Sequence, residues 1–273
     1  MRNKSNLSIA FVWYFDKADK VYDNWRDGLR SAIELLEKKH QVEWVIGQIL
    51  PEDKFDVILF WDDSNSKFFD HIDKYKGKKG LFLTTTPTNF NNLRKLDVVY
   101  CESEPVYEMV RAQGIHAVRA FGTDTDFYTP DERDKDIEYF YPATFSPWKL
   151  QRNIAHLGKD LTCIGTVQPD GYEDWNECVY KGVNVKVGYF PAEQILEYYR
   201  RSKRVVIPAI HGSERTVLEA MSCGIKPDVI NPLNIKTMSY MIEFEKSGLT
   251  PREFVVKNYS HHKYAEDILR GLK

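Results

Sequence analysis

"VKVGYFPAEQILEYYRRSKRVVIPAIHGSERTVLEAMSCG", residues 185–224, is the stretch from which the fold can be read. The short apolar runs "VNVKVGYF" and "KRVVIPAI" alternate with "PAEQILEYYRRS" and "HGSERTVLEAMSCG", whose apolar residues recur at helical spacing. Strand–helix–strand–helix order of this kind predicts parallel strands joined by helical crossovers. In the last helix Val217, Leu218 and Met221 ask for burial, yet Glu219 stands among them. His211, Gly212, Ser213, Glu214 and Arg215 form an unusual polar front to the same helix.

The alternation extends outward in both directions. "LSIAFVWYF", "QVEWVIGQI", "FDVILFW", "KGLFLTTTP", "LDVVYCES" and "IHAVRAFG" read as strands. "YDNWRDGLRSAIELLEKKH", "SKFFDHIDKYKG" and "SEPVYEMVRAQG" read as helices, the last with Pro105 in its first turn and Gly114 as its cap. The polar segment "TDTDFYTPDERDKDIE" reads as an interdomain linker. Beyond it "IEYFYPATF" and "DLTCIGTV" are predicted strands and "WKLQRNIAHLG" a helix. The expected architecture is α/β, with two Rossmann-like doubly wound domains facing a cleft. Ligands of such sheets bind beyond the carboxyl ends of the strands, so the loop after "VVIPAI" is expected to face the ligand.

Bulk properties exclude several classes. The 273 residues are 42% apolar and 14% aromatic, enough for real cores and against a disordered or fibrous chain. With 38 basic and 40 acidic residues the net charge is −2, so no global charge favours nucleic acid or membrane. Cys101, Cys163, Cys178 and Cys223 form no C-x-x-C pair, which argues against a structural zinc site and for reduced thiols. The N-terminus lacks the apolar run of a signal peptide, and no stretch approaches the ~20 apolar residues of a membrane span. An intracellular protein is expected, in the cytoplasm or peripheral to a membrane.

No G-x-G-x-x-G, Walker A loop, G-x-S-x-G elbow or H-E-x-x-H occurs, which removes support for the common α/β dehydrogenases, nucleotidases and hydrolases. An anion site at a helix N-terminus survives: Ser213 is a good N-cap, with amide groups behind it. Arg215 sits in the first turn, where its charge opposes the helix dipole and suits a bound anion. The plainer reading is an i,i+4 ion pair from Arg215 to Glu219, worth a few tenths of a kcal/mol. Lys149, after "YFYPATF", is either a cleft-facing cation or a solvated lysine.

The opening stretch resembles the donor-binding half of the retaining nucleotide-sugar glycosyltransferases of family 4, which have the GT-B fold. "VLEAMSCGIKP" is similar to the end of that family's Glu–seven residues–Glu motif, and "AFGTDTDFYTP" to the segment that closes its first domain. "ATFSPWKLQRNI" is similar to the "GR…KG" segment, and "DVVYCESEPVYEMVRAQGI" to the stretch before the linker; together these cover most of residues 96–227. The resemblance implies an acceptor-side domain over 1–130, a donor domain over 131–255, and a C-terminal helix, 256–273, crossing back to the first. It implies hexosyl transfer from a UDP- or GDP-sugar to an acceptor hydroxyl, with retention and without a metal or other cofactor. By position, Glu219 matches the ribose-binding glutamate and Lys149 the diphosphate-binding lysine. The amides from Arg215 through Thr216 to Val217 would cradle the diphosphate, and Gly212, Ser213, Glu214 and Thr144 belong to the same expected donor-binding set. The acceptor is open: a lipid-linked sugar, a polysaccharide, a small molecule or a modified base.

The chain departs from that pattern in places. His211 stands where the family has its first glutamate, with Glu214 as a shifted substitute. Thr144 stands where the family has an arginine, and Arg152 and Arg215 are the two candidates to compensate, between which the sequence does not choose. "YFDKADKVYDNW" replaces a glycine-rich loop, and "LFLTTTP" has threonines where relatives often carry a histidine. These departures keep a second reading open, a catalytically degenerate nucleotide-sugar binder of the same fold. A third, metal-dependent reading would use Asp124 and Asp126 of a D-x-D triplet, although both suit turns. Asp62 and Asp63 also suit a turn, and His261 and His262 read as surface residues of the last helix.

Overall fold

The parallel strands form two sheets. In the first, β1 (Ser8–Trp13), β2 (Gln41–Ile46), β3 (Val57–Asp62), β4 (Lys78–Leu83), β5 (Val98–Cys101) and β6 (Ala117–Arg119) lie in the order β2-β1-β3-β4-β5-β6. In the second, β7 (Ile137–Pro142), β8 (Leu161–Gly165), β9 (Asn184–Val187), β10 (Ser202–Ile207) and β11 (Pro227–Val229) lie in the order β11-β10-β7-β8-β9. Among the described residues every strand pairing is parallel. This computed structural model describes residues 6–13, 26–46 and 54–273. Gly28–Phe121 and His261–Lys273 group with β1 in one compact unit, and Gly122–Ser260 group with Arg26 and Asp27 in the other.

Strand alternation builds the first unit's two cores. Ile9, Phe11, Leu59, Phe82 and Tyr100 point to one face of the sheet, and Ala10, Ile58, Phe60, Leu81 and Val99 to the other. Both faces are buried, so the strands read as continuous apolar runs rather than alternating ones. Helix α1 (Gly28–Glu37) covers the first face with Leu29, Ala32, Ile33 and Leu36, an i, i+3, i+4, i+7 stripe. The other face receives Phe68, Phe69, Ile72, Leu93, Val106 and Val110. Leu93 comes from the short α2 (Phe90–Leu93), and the two valines from α3 (Glu104–Arg111). The second unit carries α4 (Tyr172–Tyr180), α5 (Ala192–Arg201), α6 (Glu214–Ser222), α7 (Ile235–Ser247) and α8 (Pro251–Asn258).

Helix α9 (His261–Gly271) packs with α1 on the first face. Its buried stripe is His261, Tyr264, Ala265 and Ile268, continued by Leu272 just past its end, and the Tyr100 hydroxyl donates to the Ile268 carbonyl at 2.8 Å. The expectation that both histidines lie on the surface is corrected: His261 shares the apolar stripe and is buried, while His262, one position round the helix, is exposed.

Two predicted helices take another form. Over 66–77 the chain makes two 3-10 turns, Lys67–Asp70 and Ile72–Lys74, separated at His71 (φ −121°). The break lets Phe68, Phe69, Ile72 and Tyr75 all reach the core. Over 148–158 the chain makes 3-10 segments, because Leu150 (φ 53°) adopts left-handed backbone and Ile154 (φ −110°, ψ 0°) departs from helical angles between them. The sequence patterns do not assign β11, α4, α7 or α8. The stretch 14–25, expected to replace a glycine-rich loop, lies outside the described residues. Among the described residues no helix is long and apolar enough to cross a membrane, and all four cysteines are free and buried.

Ile268→Ala should destabilise the protein by about 2–5 kcal/mol, since the fully buried side chain leaves a cavity between α9 and the first sheet. Urea denaturation would measure it; a loss below about 0.5 kcal/mol would contradict that packing.

Candidate functional site

Beyond the carboxyl ends of β7 and β8 and in front of α6 lies a cavity of ≈ 240 Å³, contained in the second unit. Thr144, Thr166, Arg215, Thr216 and Glu219 line it, together with Gly188, Tyr189 and Phe190 after β9. Parallel strands deliver these loops to one edge of the sheet, where loops tolerate polar side chains that the strands cannot. Gln151, fully buried, donates from Nε2 to the Ala143 carbonyl at 3.2 Å and the Thr144 carbonyl at 3.0 Å, so the non-helical 148–158 segment braces the β7 loop.

Glu219 is 6% exposed, on the face of α6 that also carries Arg215 and Thr216, opposite the buried Val217 and Met221. The Tyr199 hydroxyl donates to its Oε2 at 3.0 Å, Tyr128 adds a second hydrogen bond, and Arg215 Nε stands 3.5 Å from Oε1. Burial pushes its carboxyl up to about 7, with Arg215 and the two tyrosines opposing the shift. The plain i,i+4 ion pair is therefore present, and its carboxylate also forms part of the cavity wall. Arg215 is 43% exposed and has Asp27 Oδ2 at 3.9 Å from Nη1 as a second counter-charge.

The front of α6 is built differently from the expected cap. Ser213 occupies the N-cap position in left-handed backbone (φ 73°) and makes no side-chain cap. Its hydroxyl instead meets Lys149 Nζ at 3.1 Å and the Tyr141 hydroxyl at 3.0 Å. Gly212 is also left-handed (φ 71°), and a Cβ there would lie 2.6 Å from Lys149 Nζ. The lysine thus lies over a glycine that leaves it room. Burial depresses the Lys149 ammonium below the usual lysine range, opposed by the Glu214 carboxylate. Val217 is corrected as an amide donor to a ligand: its N–H is taken by the Ser213 carbonyl at 3.0 Å, and its side chain is fully buried.

His211 stacks on Trp148, with ring centroids 5.7 Å apart and planes 10° from parallel. Partial burial and the neighbouring Lys149 lower its imidazole, which is therefore neutral at pH 7. Thr144 shares a 3.1 Å hydrogen bond with Thr166 across the β7 and β8 loops. Arg152 is turned to α4, donating to Glu173 at 3.1 Å and standing 3.4 Å from Asp174, and does not line the cavity. Of the two arginines expected to replace the one missing at Thr144, Arg215 stands at the cavity. Asp124 accepts the Asp126 and Phe127 amides at 3.2 and 3.0 Å, and Asp62 and Asp63 accept following amides in the same way, so these acids serve turns.

Sequence reasoning missed Tyr128 and Gln151, described above, and further contributors. Lys236, 6% exposed, stands 3.9 Å from Glu214 at the start of α7. Asn234 caps α7 and donates to the Ala209 and Gly212 carbonyls at 3.2 and 2.8 Å, fixing the loop before α6. Tyr199, at i+7 from Ala192, reads as a core residue until Glu219 is placed against it. Arg26 lines the cavity from a position over 100 residues upstream, with no local signal.

No family model matches the sequence, and no curated protein matches it by sequence. Solved structures match almost end to end. The Anabaena protein HepE, solved in complex with UDP and glucose, superposes with TM-score 0.67 at 12% identity, covering 98% of this chain and 99% of that one. AviGT4, a glycosyltransferase involved in avilamycin A biosynthesis, gives 0.66 at 14% identity, covering 97% of each chain. The E. coli trehalose-6-phosphate structure bound with UDP-2-fluoro glucose gives 0.63 at 10% identity, covering 97% and 98%. At these identities the likeness establishes the fold, which is that of the GT-B glycosyltransferases.

Proposed function

We propose that the protein is a retaining, metal-independent glycosyltransferase that uses a UDP- or GDP-sugar as donor, with its two domains facing a cleft. Glu219 carries the reading: a carboxylate on an apolar helix, in the wall of a cavity beyond the sheet, has a function if a ribose diol donates to it. The expected roles run outward along α6. Glu219 takes the ribose, while the first amides of α6, Lys149 and Arg215 take the diphosphate, and His211 and Glu214 stand on the sugar side. The fold shared with proteins solved with UDP and UDP-2-fluoro glucose supports this assignment.

In such a reaction the bond from the sugar's anomeric carbon to the diphosphate breaks, and the acceptor oxygen bonds to that carbon on the same face. The departing phosphate takes the acceptor proton. The protein supplies positioning and charge neutralisation, and losing one such donor costs ~3–4 kcal/mol at the transition state. His211, neutral and stacked on Trp148, can donate a hydrogen bond to the sugar but brings no charge. Thr144 in place of an arginine favours one alternative, a nucleotide-sugar binder without efficient turnover.

Transfer or hydrolysis of UDP- and GDP-sugars should persist in EDTA; loss on chelation would refute metal independence, and tight binding without turnover would select the binder. A diol donates to the ionised carboxylate, so binding must expel the proton that Glu219 holds below pH 7. Nucleotide affinity is therefore expected to weaken about tenfold from pH 8 to pH 6, measured by calorimetry, and the slope should vanish in Glu219→Gln. Gly212→Ala strains the left-handed backbone by about 1–2 kcal/mol and drives Lys149 aside. Its affinity for a nucleoside diphosphate should fall roughly tenfold while that for the nucleoside holds. An equal fall for both would remove Lys149 from the diphosphate.

A further inference from the structure

The charged residues lining the cavity are Arg26, Arg215 and Glu219. Both guanidiniums stand in the cavity wall, while two of the carboxylates beside them, Asp27 and Asp124, are not among the lining residues. Arg215 stands between Glu219 at 3.5 Å and Asp27 at 3.9 Å, so its charge is already shared between two carboxylates. Arg26 is mounted separately. Asp124 Oδ2 lies 4.0 Å from its Nη1, at the outer limit of an ion pair, and the guanidinium carbon lies 5.7 Å from the centre of the Phe127 ring. Ring and carboxylate together orient the guanidinium, and 35% of the side chain stays accessible.

Arg26 and Thr144 line the same cavity. Thr144 is the position where the resembled pattern has an arginine, and Arg152 is committed to Glu173 and Asp174. We propose that Arg26 supplies a further cation to the donor's diphosphate, beside Lys149 and Arg215, standing in for the arginine absent at Thr144. This rests on the nucleotide-sugar reading above. A guanidinium suits the task because its rigid planar fork holds two phosphate oxygens in fixed geometry, where an ammonium acts as a point charge. Arg26 then acts on the ligand's charge rather than on the base or ribose, and the cation reaches the cavity from a different part of the chain.

Calorimetry on the full chain with UDP, GDP, uridine, guanosine and inorganic pyrophosphate tests this, alongside melting curves. R26Q should bind the accepted nucleoside diphosphate, and pyrophosphate, roughly tenfold or more weakly while its nucleoside affinity stays within roughly twofold. R26K, which keeps the charge without the fork, should fall between and show the same selectivity. Thr144→Arg added to R26Q should recover most of the loss, a rescue that a purely structural arginine would not give. Equal losses on nucleoside and diphosphate, in R26Q or, if that variant melts early, in R26K, would overturn the proposal. So would unchanged diphosphate binding in R26Q, which leaves the donor reading standing. A wild-type chain that binds neither nucleotides nor pyrophosphate would overturn both.

Discussion

A carboxylate held in a nearly dry environment organises the second unit. Glu219 lies on the same helix as Val217, Leu218 and Met221, all fully buried, and desolvation there would ordinarily keep it neutral. Tyr199, Tyr128 and Arg215 offset part of that cost, leaving the group balanced near neutrality. Removing any one partner would leave a buried polar atom short, which is far costlier than the modest net gain of the pair itself. Helix α6 therefore stays in register with α5, which supplies Tyr199, and with the segment before β7, which supplies Tyr128. The carboxylate stabilises the arrangement little; it specifies it.

The front of the same helix shows the opposite arrangement, with cations in excess. Lys149 and Lys236 stand around Glu214, and Asn234 ties the preceding loop to α7. Ser213 is held in left-handed backbone, a conformation costly for a residue with a Cβ, while its hydroxyl meets Lys149 and Tyr141. Strain of this kind persists only where the surroundings over-determine it. Here they aim the hydroxyl at the lysine instead of down the helix, leaving the first amides of α6 uncapped by it.

Much of the fold is legible because buried parallel strands must be apolar throughout, and helices covering them must be striped. The strand "FDVILFW" and the helix over Leu29, Ile33 and Leu36 obey those rules and appear as read. The segments 66–77 and 148–158 mislead for one reason: their apolar spacing is compatible with a helix, but the core asks adjacent residues to face inward. His71, Leu150 and Ile154 supply the breaks, and none of them carries a strong enough local signal to announce it.

The sequence by itself determined the alternation of elements, the two sheets, and the anomaly of Glu219 and its polar neighbours, because periodicity and misplaced charge are local properties. Only the tertiary structure decided the partners. Tyr128 and Tyr199 beside Glu219, Lys236 beside Glu214, Gln151 under the Thr144 loop and Arg26 in the cavity wall come together from distant positions. Desolvation and hydrogen bonding act over a few ångströms in space, whatever the separation along the chain. The identity of a charged group's neighbours, and with it the chemistry of the group, is therefore a property of the folded molecule.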